Sequence, residues 1–292
     1  MNLSIIILNY KTKYLTISCL ESIVKLYKQE LIRSVLEIII VDNGSKDDSL
    51  ESIKNYLSSI KFENIKTIGN KENVGFAKGC NIGSKEAKGK YILFLNSDTE
   101  TKDRGFLKMV EYLENNERIG ILGGKLSNID GSAQPSAGKF YTLFNLFLML
   151  IGAEVFLGIR KSPNKTSKVE WVSGGCMMIK KSLFEKLSGF DEKFFMYIED
   201  MELCYRAKKL GYTTYFYQDV KVLHKELGSG NRFFAIINIY KGILHFYAKH
   251  KNYIQYVMAK TLLRAKAKIA TIIGLLTGNS ALVKMYSSAI KF

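Results

Sequence analysis

Proline is almost missing from this 292-residue sequence, with only Pro135 and Pro163 present. Long rigid linkers between folded parts are therefore excluded. Cysteine is scarce too. Cys19, Cys80, Cys176 and Cys204 form no C-x-x-C pair, which argues against a zinc ribbon or a disulfide framework and suits a reducing compartment. Three histidines (His224, His245, His250) are too few for an abundant histidine-based chemistry. No basic n-region and no small-residue cleavage site accompany the apolar run that follows Met1. That run reads as a buried strand, not as a secretion signal, and a cytoplasmic chain is expected. Residues 140–153 carry no charge, but they fall short of the roughly 20 apolar residues that a bilayer span needs. A buried or interfacial helix is expected there.

What is present is enough apolar matter for a core. Hydrophobic residues make up 47% and charged residues 24%, so a wholly disordered chain is excluded. The formal net charge is +16, and its distribution says more than its sum. Acidic residues end at Glu226, whereas the stretch from Asn231 to Phe292 holds ten Lys and Arg. The first 230 residues are thus only modestly basic. An acid-free basic block needs an anionic partner or ample solvent.

Short apolar runs alternate with amphipathic segments over the first 125 residues. Strands are expected at 3–9, 36–41, 65–68, 91–95 and 119–122, with helices at 14–27, 48–58, 76–88 and 104–114. The strands are apolar on both faces, as strands covered by helices on each side should be. This βαβα order predicts an α/β fold with a mostly parallel central sheet, and a ligand crevice at the carboxyl ends of its strands. The Asp130-Gly131 pair marks a hairpin tip. Further on, a strand is expected at 169–179, a helix at 200–210 closed by Gly211, and strands at 212–217 and 220–223. The rest of the chain reads as basic helices. Phe233, Ile237, Tyr240, Leu244 and Tyr247 form one apolar face. Met258, Leu262, Ala265, Ile269, Ile272 and Leu276 form a second, with Lys260, Arg264 and Lys268 on another side of that helix.

Several polar clusters sit where such a crevice would open. Asp42-Asn43-Gly44-Ser45 follows the second strand, where a carboxylate can accept from a base or ribose, or simply turn the chain and cap a helix. The run from Asn73 to Gly83 opens a helix with three glycines that allow close backbone approach to a phosphate, or merely tight packing. Asn96-Ser97-Asp98 ends the fourth strand. Its first and third side chains share a face, the spacing for oxygen ligands to a hard divalent cation, though also an ordinary turn. Glu199-Asp200-Met201-Glu202 starts a helix after Phe194-Phe195-Met196-Tyr197. Acids there suit the helix dipole, and beside aromatic surface they could act as bases. His224 closes a strand pattern, where a structural or a ligating role is open.

Their order along the chain carries more than any one of them. Strand-end Asp42, the Asn73-x-Gly75 helix entry, Asn96-x-Asp98, Trp171-Val172-Ser173-Gly174-Gly175, Glu199-Asp200 and strand-end His224 occur in sequence. In this the chain resembles glycosyltransferase family 2 with its GT-A nucleotide-diphospho-sugar transferase fold, closest to the rhamnosyltransferase-like, non-processive bacterial branch. The resemblance covers about residues 3–229. It implies a GT-A catalytic domain over 1–229 and a basic amphipathic helical region over 230–292.

The resemblance also implies roles. Asp42 would contact the nucleotide base or ribose beside the backbone of Tyr10, while Asn73, Gly75 and Asn81 would line the nucleotide-sugar cleft together with Asn96 and Ser97. Gly174 and Gly175 would shape the donor-sugar pocket. Asp98 matches the second acid of the family's Asp-x-Asp motif and would hold Mn2+ or Mg2+ with His224. Asn96 departs from the acidic first position of that motif. Asp200 matches the base that deprotonates the acceptor hydroxyl, with Glu199 orienting it or the acceptor. An inverting, metal-dependent transfer from a UDP- or dTDP-linked sugar to a saccharide acceptor follows. The acceptor is expected to be lipid-linked, in bacterial surface polysaccharide synthesis. The processive Q-x-x-R-W motif is absent, so one sugar or a few are added. The basic region is expected to meet an anionic membrane surface, with a solvated face or a subunit contact as the alternative. A nucleic-acid-binding module explains the basic region but not the acids, so no nucleic acid is expected as partner. An inactive family member acting as a subunit partner is the other alternative, for which Asn96 is the hint. Donor, acceptor and oligomeric state stay open.

Overall fold

The computed structural model describes residues 1–225 and 232–292. Glu226 and the expected domain boundary after residue 229 lie outside the described residues. The chain opens with β1 (Leu3–Asn9), α1 (Lys13–Ile32), β2 (Leu36–Asp42), α2 (Ser49–Ile60), β3 (Ile65–Gly69) and α3 (Phe76–Lys85). There follow β4 (Tyr91–Asn96), β5 (Thr99–Thr101), α4 (Gly105–Glu114) and β6 (Ile119–Ser127). The middle holds β7 (Ala137–Gly138), α5 (Leu143–Leu150), β8 (Arg160–Lys161), β9 (Ser167–Val169), β10 (Trp171–Val172), β11 (Cys176–Lys180) and α6 (Lys181–Lys186). Then come α7 (Glu199–Lys209), β12 (Thr213–His224), α8 (Arg232–His250), α9 (Tyr253–Leu276) and α10 (Ser280–Ala289).

A nine-stranded sheet runs β3-β2-β1-β4-β11-β6-β12-β5, with β9 also on β12. β1, β2, β3, β4, β6 and β12 point one way; β11, β5 and β9 oppose them. Alternate side chains explain why both faces must be covered. Ile6, Ile39, Val41 and Phe94 fill one core, and Ile5, Ile7, Ile38, Ile40 and Leu93 fill the other. Each such side chain stabilises the fold by roughly 1.5–3 kcal/mol on burial. The four leading strands all end at the same edge, so the loops after β1, β2, β3 and β4 crowd together there.

Two expectations need correction. The single strand at 169–179 is interrupted: Trp171 and Val172 leave the main sheet to pair with β7, and Ser173-Gly174-Gly175 returns the chain to β11. The two strands at 212–217 and 220–223 are one, β12, with a register shift between Tyr217 and Lys221. On α9 much of the apolar face marked in the sequence is turned outward. Met258, Ile269, Ile272 and Leu276 are exposed, and the helix packs through Ala259, Leu263 and Ala267 instead. Ala259 and Ala267 on either side of Leu263 give this buried line little bulk, which periodicity of large apolar residues does not reveal.

The C-terminal helices share the core of the α/β part. Tyr240, Ile243, Phe246 and Tyr247 of α8 join the cluster that includes Met201, Leu203 and Cys204 of α7. A buried ion network fastens this contact. Glu202 is fully buried and meets Arg206 Nε at 2.8 Å, Lys249 Nζ at 2.9 Å and His250 Nε2 at 2.8 Å. Lys249 also reaches Asp191 at 2.7 Å, where His245 Nε2 lies at 2.9 Å. Arg206 donates as well to the carbonyls of Leu187 and Gly189. Burial alone would raise the Glu202 carboxyl, but hydrogen bonds from His250 and Lys249 and the Arg206 charge outweigh it and hold it below its ordinary range. Asp191 is likewise depressed, burial being overcome by Lys249 and His245.

Removing the shared anion strands its cations. Glu202→Gln should cost about 3 kcal/mol in urea unfolding at neutral pH. Because the folded pKa values are depressed, the network's stabilisation is complete above the ordinary carboxylate value of 4.5 and is lost as pH falls through the folded values. Wild type and Glu202→Gln should therefore converge in stability in acid, whereas a constant difference down to pH 2 would contradict the network's role.

Candidate active site

β4 ends in Asn96, and Ser97-Asp98 carries the chain into β5. Antiparallel register then sets Thr99 of β5 opposite His224, the last residue of β12. This topology brings together side chains 126 positions apart: Asp98 Oδ1 lies 3.2 Å from His224 Nε2, and Asn96 Nδ2 lies 3.2 Å from the same nitrogen. Gln134 sets the tautomer. Its Nε2 donates to the His224 carbonyl at 2.9 Å and to Asn128 Oδ1 at 2.5 Å, so its Oε1 faces His224 Nδ1 at 2.8 Å. With the ring neutral and its proton on Nδ1, the Nε2 lone pair would point at Asp98. A lone pair beside a carboxylate oxygen fits a shared cation between them. The donor types, one carboxylate and one imidazole, suit Mn2+ or Mg2+ completed by ligand oxygens. Among the described residues no cluster of three or more His, Cys, Asp or Glu could hold an ion by itself.

A cavity of about 450 Å³ opens at this edge, lined by Tyr10, Thr12, Asn43, Asn73, Gly75, Asn96, Ser97 and Asp98 among others. Its far wall is organised by Asn43. The Asn43 amide donates to Asn73 Oδ1 at 2.9 Å and to the Gly75 carbonyl at 3.1 Å, and its oxygen accepts from Asn70 and from the Val74 N–H. Gly75 is required where it stands. Its φ is +86°, and a Cβ would lie 2.4 Å from the Phe195 carbonyl oxygen. The close approach lets the Phe76 N–H donate to that carbonyl at 2.6 Å, which ties the cavity rim to the loop before α7.

A larger cavity of about 710 Å³ lies on the other side of Asn96 and is lined by Gly174, Gly175, Glu199, Asp200 and His224, among others. Phe76, Asn96 and Met196 line both cavities and form the partition between them. Two successive non-glycine residues with left-handed backbone, Tyr197 (φ 72°) and Ile198 (φ 73°), turn the chain sharply into α7. Gly242 of α8 packs against this turn, where a Cβ would be 2.9 Å from Ile198 Cγ1. The turn delivers Glu199 and Asp200 to the cavity in the first turn of the helix. Asp200 accepts from the Gly174 N–H at 3.0 Å and the Met201 N–H at 2.7 Å. Burial raises its carboxyl above the usual value, against the lowering effect of those N–H groups and of Arg160. Glu199 is pushed up much further, by burial and then by the Asp200 charge. Of the two acids, Glu199 is the one whose carboxyl is more strongly driven toward its neutral form.

The expected residues divide cleanly. Tyr10, Asn73, Gly75, Ser97 and Asp98 line the smaller cavity, Glu199, Asp200, His224, Gly174 and Gly175 the larger, and Asn96 both. The two glycines thus stand on the Asp200 side, not beside Asn73 and Gly75 as expected. Two residues do not reach either cavity. Asn81 is buried in α3, its amide donating to the Phe190 carbonyl at 2.9 Å and its oxygen accepting from the Phe190 N–H at 2.9 Å. It braces the loop before α7 and does not line the cleft. Asp42 is also satisfied internally, by Asn9 Nδ2 at 2.7 Å and Ser45 Oγ at 2.5 Å. Its visible work is to hold the turn after β1 that carries Tyr10. Asn43, Gln134 and Arg160 were not singled out. Asn43 stood inside a quoted cluster, but Gln134 and Arg160 lie in an irregular stretch with no periodic signal.

The profile of "Glycosyl transferase family 2" matches residues 4–188, and that of "N-terminal domain of galactosyltransferase" matches residues 158–232. The low-salt glycan biosynthesis hexosyltransferase Agl10 of Haloferax volcanii is 27% identical over 247 residues, covering 82% of this chain and 72% of its own length. An N-acetylglucosaminyl-diphospho-decaprenol L-rhamnosyltransferase of Mycobacterium tuberculosis is 23% identical over 217 residues, covering 68% and 69%. Among solved structures, the mannosyltransferase PcManGT from Pyrobaculum calidifontis, in complex with GDP-Man and Mn2+, superposes with a TM-score of 0.61. It is 16% identical and covers 99% of this chain and 85% of that one. The architecture is that of GT-A glycosyltransferases, the activity is sugar transfer from a nucleotide-sugar donor, and the chain belongs to glycosyl transferase family 2.

Proposed function

We propose that the chain is an inverting, non-processive glycosyltransferase that moves a sugar from a UDP- or dTDP-linked donor to a hydroxyl of a lipid-linked saccharide in surface polysaccharide synthesis. One observation carries the reading. Two cavities meet at Asn96, with Asp98 on one side and Asp200 on the other. The smaller takes the nucleotide diphosphate, and the larger takes the acceptor. Tyr10, Asn73 and Gly75 bound the nucleotide's place, with Asn43 clamping their loop and Asp42 bracing the turn beneath Tyr10. A cation such as Mn2+ or Mg2+, held by Asp98 and His224, would supply positive charge to the leaving diphosphate.

Asp200 takes the proton of the acceptor hydroxyl as that oxygen bonds to the anomeric carbon. The bond from that carbon to the diphosphate oxygen breaks on the opposite face, so the configuration inverts. Burial makes Asp200 a stronger base than an exposed aspartate, while the Gly174 and Met201 N–H groups aim it. Glu199, its carboxyl raised by burial and then by the Asp200 charge, orients Asp200 or the acceptor.

Membrane docking extends the reading. Exposed apolar side chains gather on two packed helices: Phe144 and Phe147 of α5, then Ile151, Val155 and Phe156 (93% exposed), and on α9 Met258, Ile269, Ile272 and Leu276. Arg264 and Lys268 stand beside the α9 residues, a composition suited to an anionic interface. No helix among the described residues is long and apolar enough to cross a membrane. A peripheral enzyme at the inner membrane face fits both facts.

Released nucleotide, followed with a panel of UDP- and dTDP-sugars and Mn2+, should fall about 10²–10⁴-fold in Asp200→Asn. Glu199→Gln should stay within about tenfold of wild type, since Glu199 orients and does not take the proton. The acid limb of the wild-type pH profile should lie above the ordinary aspartate value of 3.8, because burial raises the base. Equal losses in the two variants would overturn the assignment of the base. For docking, flotation with phosphatidylglycerol vesicles should retain wild type at low salt and release a variant combining Phe147→Ser and Phe156→Ser with Arg264→Glu and Lys268→Glu. Identical flotation of both proteins would count against that surface. Point variants are needed, because truncation before α8 would strip Glu202 of Lys249 and His250.

A further inference from the structure

Seven buried side-chain polar atoms lack a hydrogen-bond partner among the described residues. Four of them belong to residues that line the larger cavity: Ser136 Oγ, Glu154 Oε2, Glu199 Oε2 and Tyr240 OH. Orphaned buried groups are rare because each forfeits its hydration without replacement. Glu199 is accounted for by the acid pair. The other three come from separate segments: the loop before β7, the loop after α5, and α8. Local geometry therefore does not explain why they converge on one space.

The surroundings of each point to the same ligand. Ser136 is 3% exposed, and its carbonyl accepts from the Ser173 N–H at 2.8 Å. The next residue, Gly174, donates to Asp200, so Ser136 is joined by backbone to the base. Tyr240 is 4% exposed, with its ring edge-on to Tyr286 of α10 at 6.5 Å. Glu154 shares the cavity wall with Arg160 and Lys266. Trp171 and Tyr141 supply aromatic surface there, and the Trp171 N–H is already engaged by the Lys139 carbonyl at 3.0 Å. Two neutral hydroxyls, one carboxylate oxygen and aromatic walls are the complement of a sugar, which offers several hydroxyls around an apolar ring face.

We infer that Ser136, Glu154 and Tyr240 form an acceptor-saccharide subsite beside Asp200, their free oxygens exchanging hydrogen bonds with the hydroxyls of the acceptor sugar. The inference rests on the reading that the larger cavity is the acceptor side. It makes α8 and α10 walls of the substrate site, a role separate from any contact with a membrane. Ser136 and Tyr240 stand in it as specificity-determining residues, since a sugar lacking the matching hydroxyl would leave them unpartnered again.

Saturation-transfer NMR with methyl glycosides of glucose, N-acetylglucosamine, galactose, mannose and rhamnose tests this, with UDP and Mn2+ present. At least one glycoside should bind wild type, and Tyr240→Phe and Ser136→Ala should each weaken it about tenfold. Without ligand, both variants should melt at or above the wild-type temperature, because the deleted group had no partner to lose. A structural hydroxyl would do the reverse, lowering the melting temperature and leaving glycoside binding unchanged. Binding of no glycoside to wild type, or equal affinities in all three proteins, would overturn the subsite. Titrations of wild type with UDP and dTDP separate the failures. Nucleotide binding with unaltered glycoside affinities defeats the subsite alone, whereas absence of nucleotide binding defeats the donor–acceptor reading beneath it.

Discussion

A single buried carboxylate holds the two parts of this molecule in register. Glu202 has no exposed surface and takes its cations from its own helix and from α8. An isolated charge in that position would not be tolerated, so α8 must dock where Lys249 and His250 can reach it. Docking there puts Gly242 against the left-handed turn at Tyr197 and Ile198, and that turn aims Asp200. It also sets Tyr240 on the wall of the larger cavity. The positions of Asp200 and of Tyr240 on the larger cavity are thus tied to one ion cluster, centred two residues along α7 from Asp200.

The leading strands were legible in the sequence because they obey one simple constraint. Strands covered on both faces carry near-continuous apolar runs, and β1, β2 and β4 announce themselves within a residue of their observed ends. The crevice at their carboxyl edge, with Asn96, Asp98 and His224, was legible for the same reason: polar residues appear abruptly where the apolar runs stop. Other parts were not. β7, β8 and β10 are two residues long and exist only through pairing with distant chain, so no local pattern predicts them. Asn81 misled because its polarity serves a backbone 109 positions away. Gln134 matters only through the tautomer it imposes on His224, a relation with no trace in composition or spacing.

The net charge takes on a different meaning once the partners are known. Lys249 belongs to the acid-free end of the chain, yet its charge is balanced inside the protein by Asp191 and Glu202. Lys266 faces the larger cavity with Glu154 nearby. The basic end and the acids of the α/β part are therefore partly one electrostatic system. Exposed positive charge remains on all three C-terminal helices, at Lys241, Arg264, Lys268 and Lys284, with Arg264 and Lys268 beside the outward apolar stripe of α9.

The partition of Phe76, Asn96 and Met196 has its own consequence. On the proposed assignment of donor and acceptor to the two cavities, each bound substrate would form part of the other's enclosure. Water entering through the larger cavity would then have the same path to the donor as an acceptor hydroxyl has. Protection of the activated sugar from wasteful hydrolysis would depend on the larger cavity being filled. On that assignment the acceptor is also the plug.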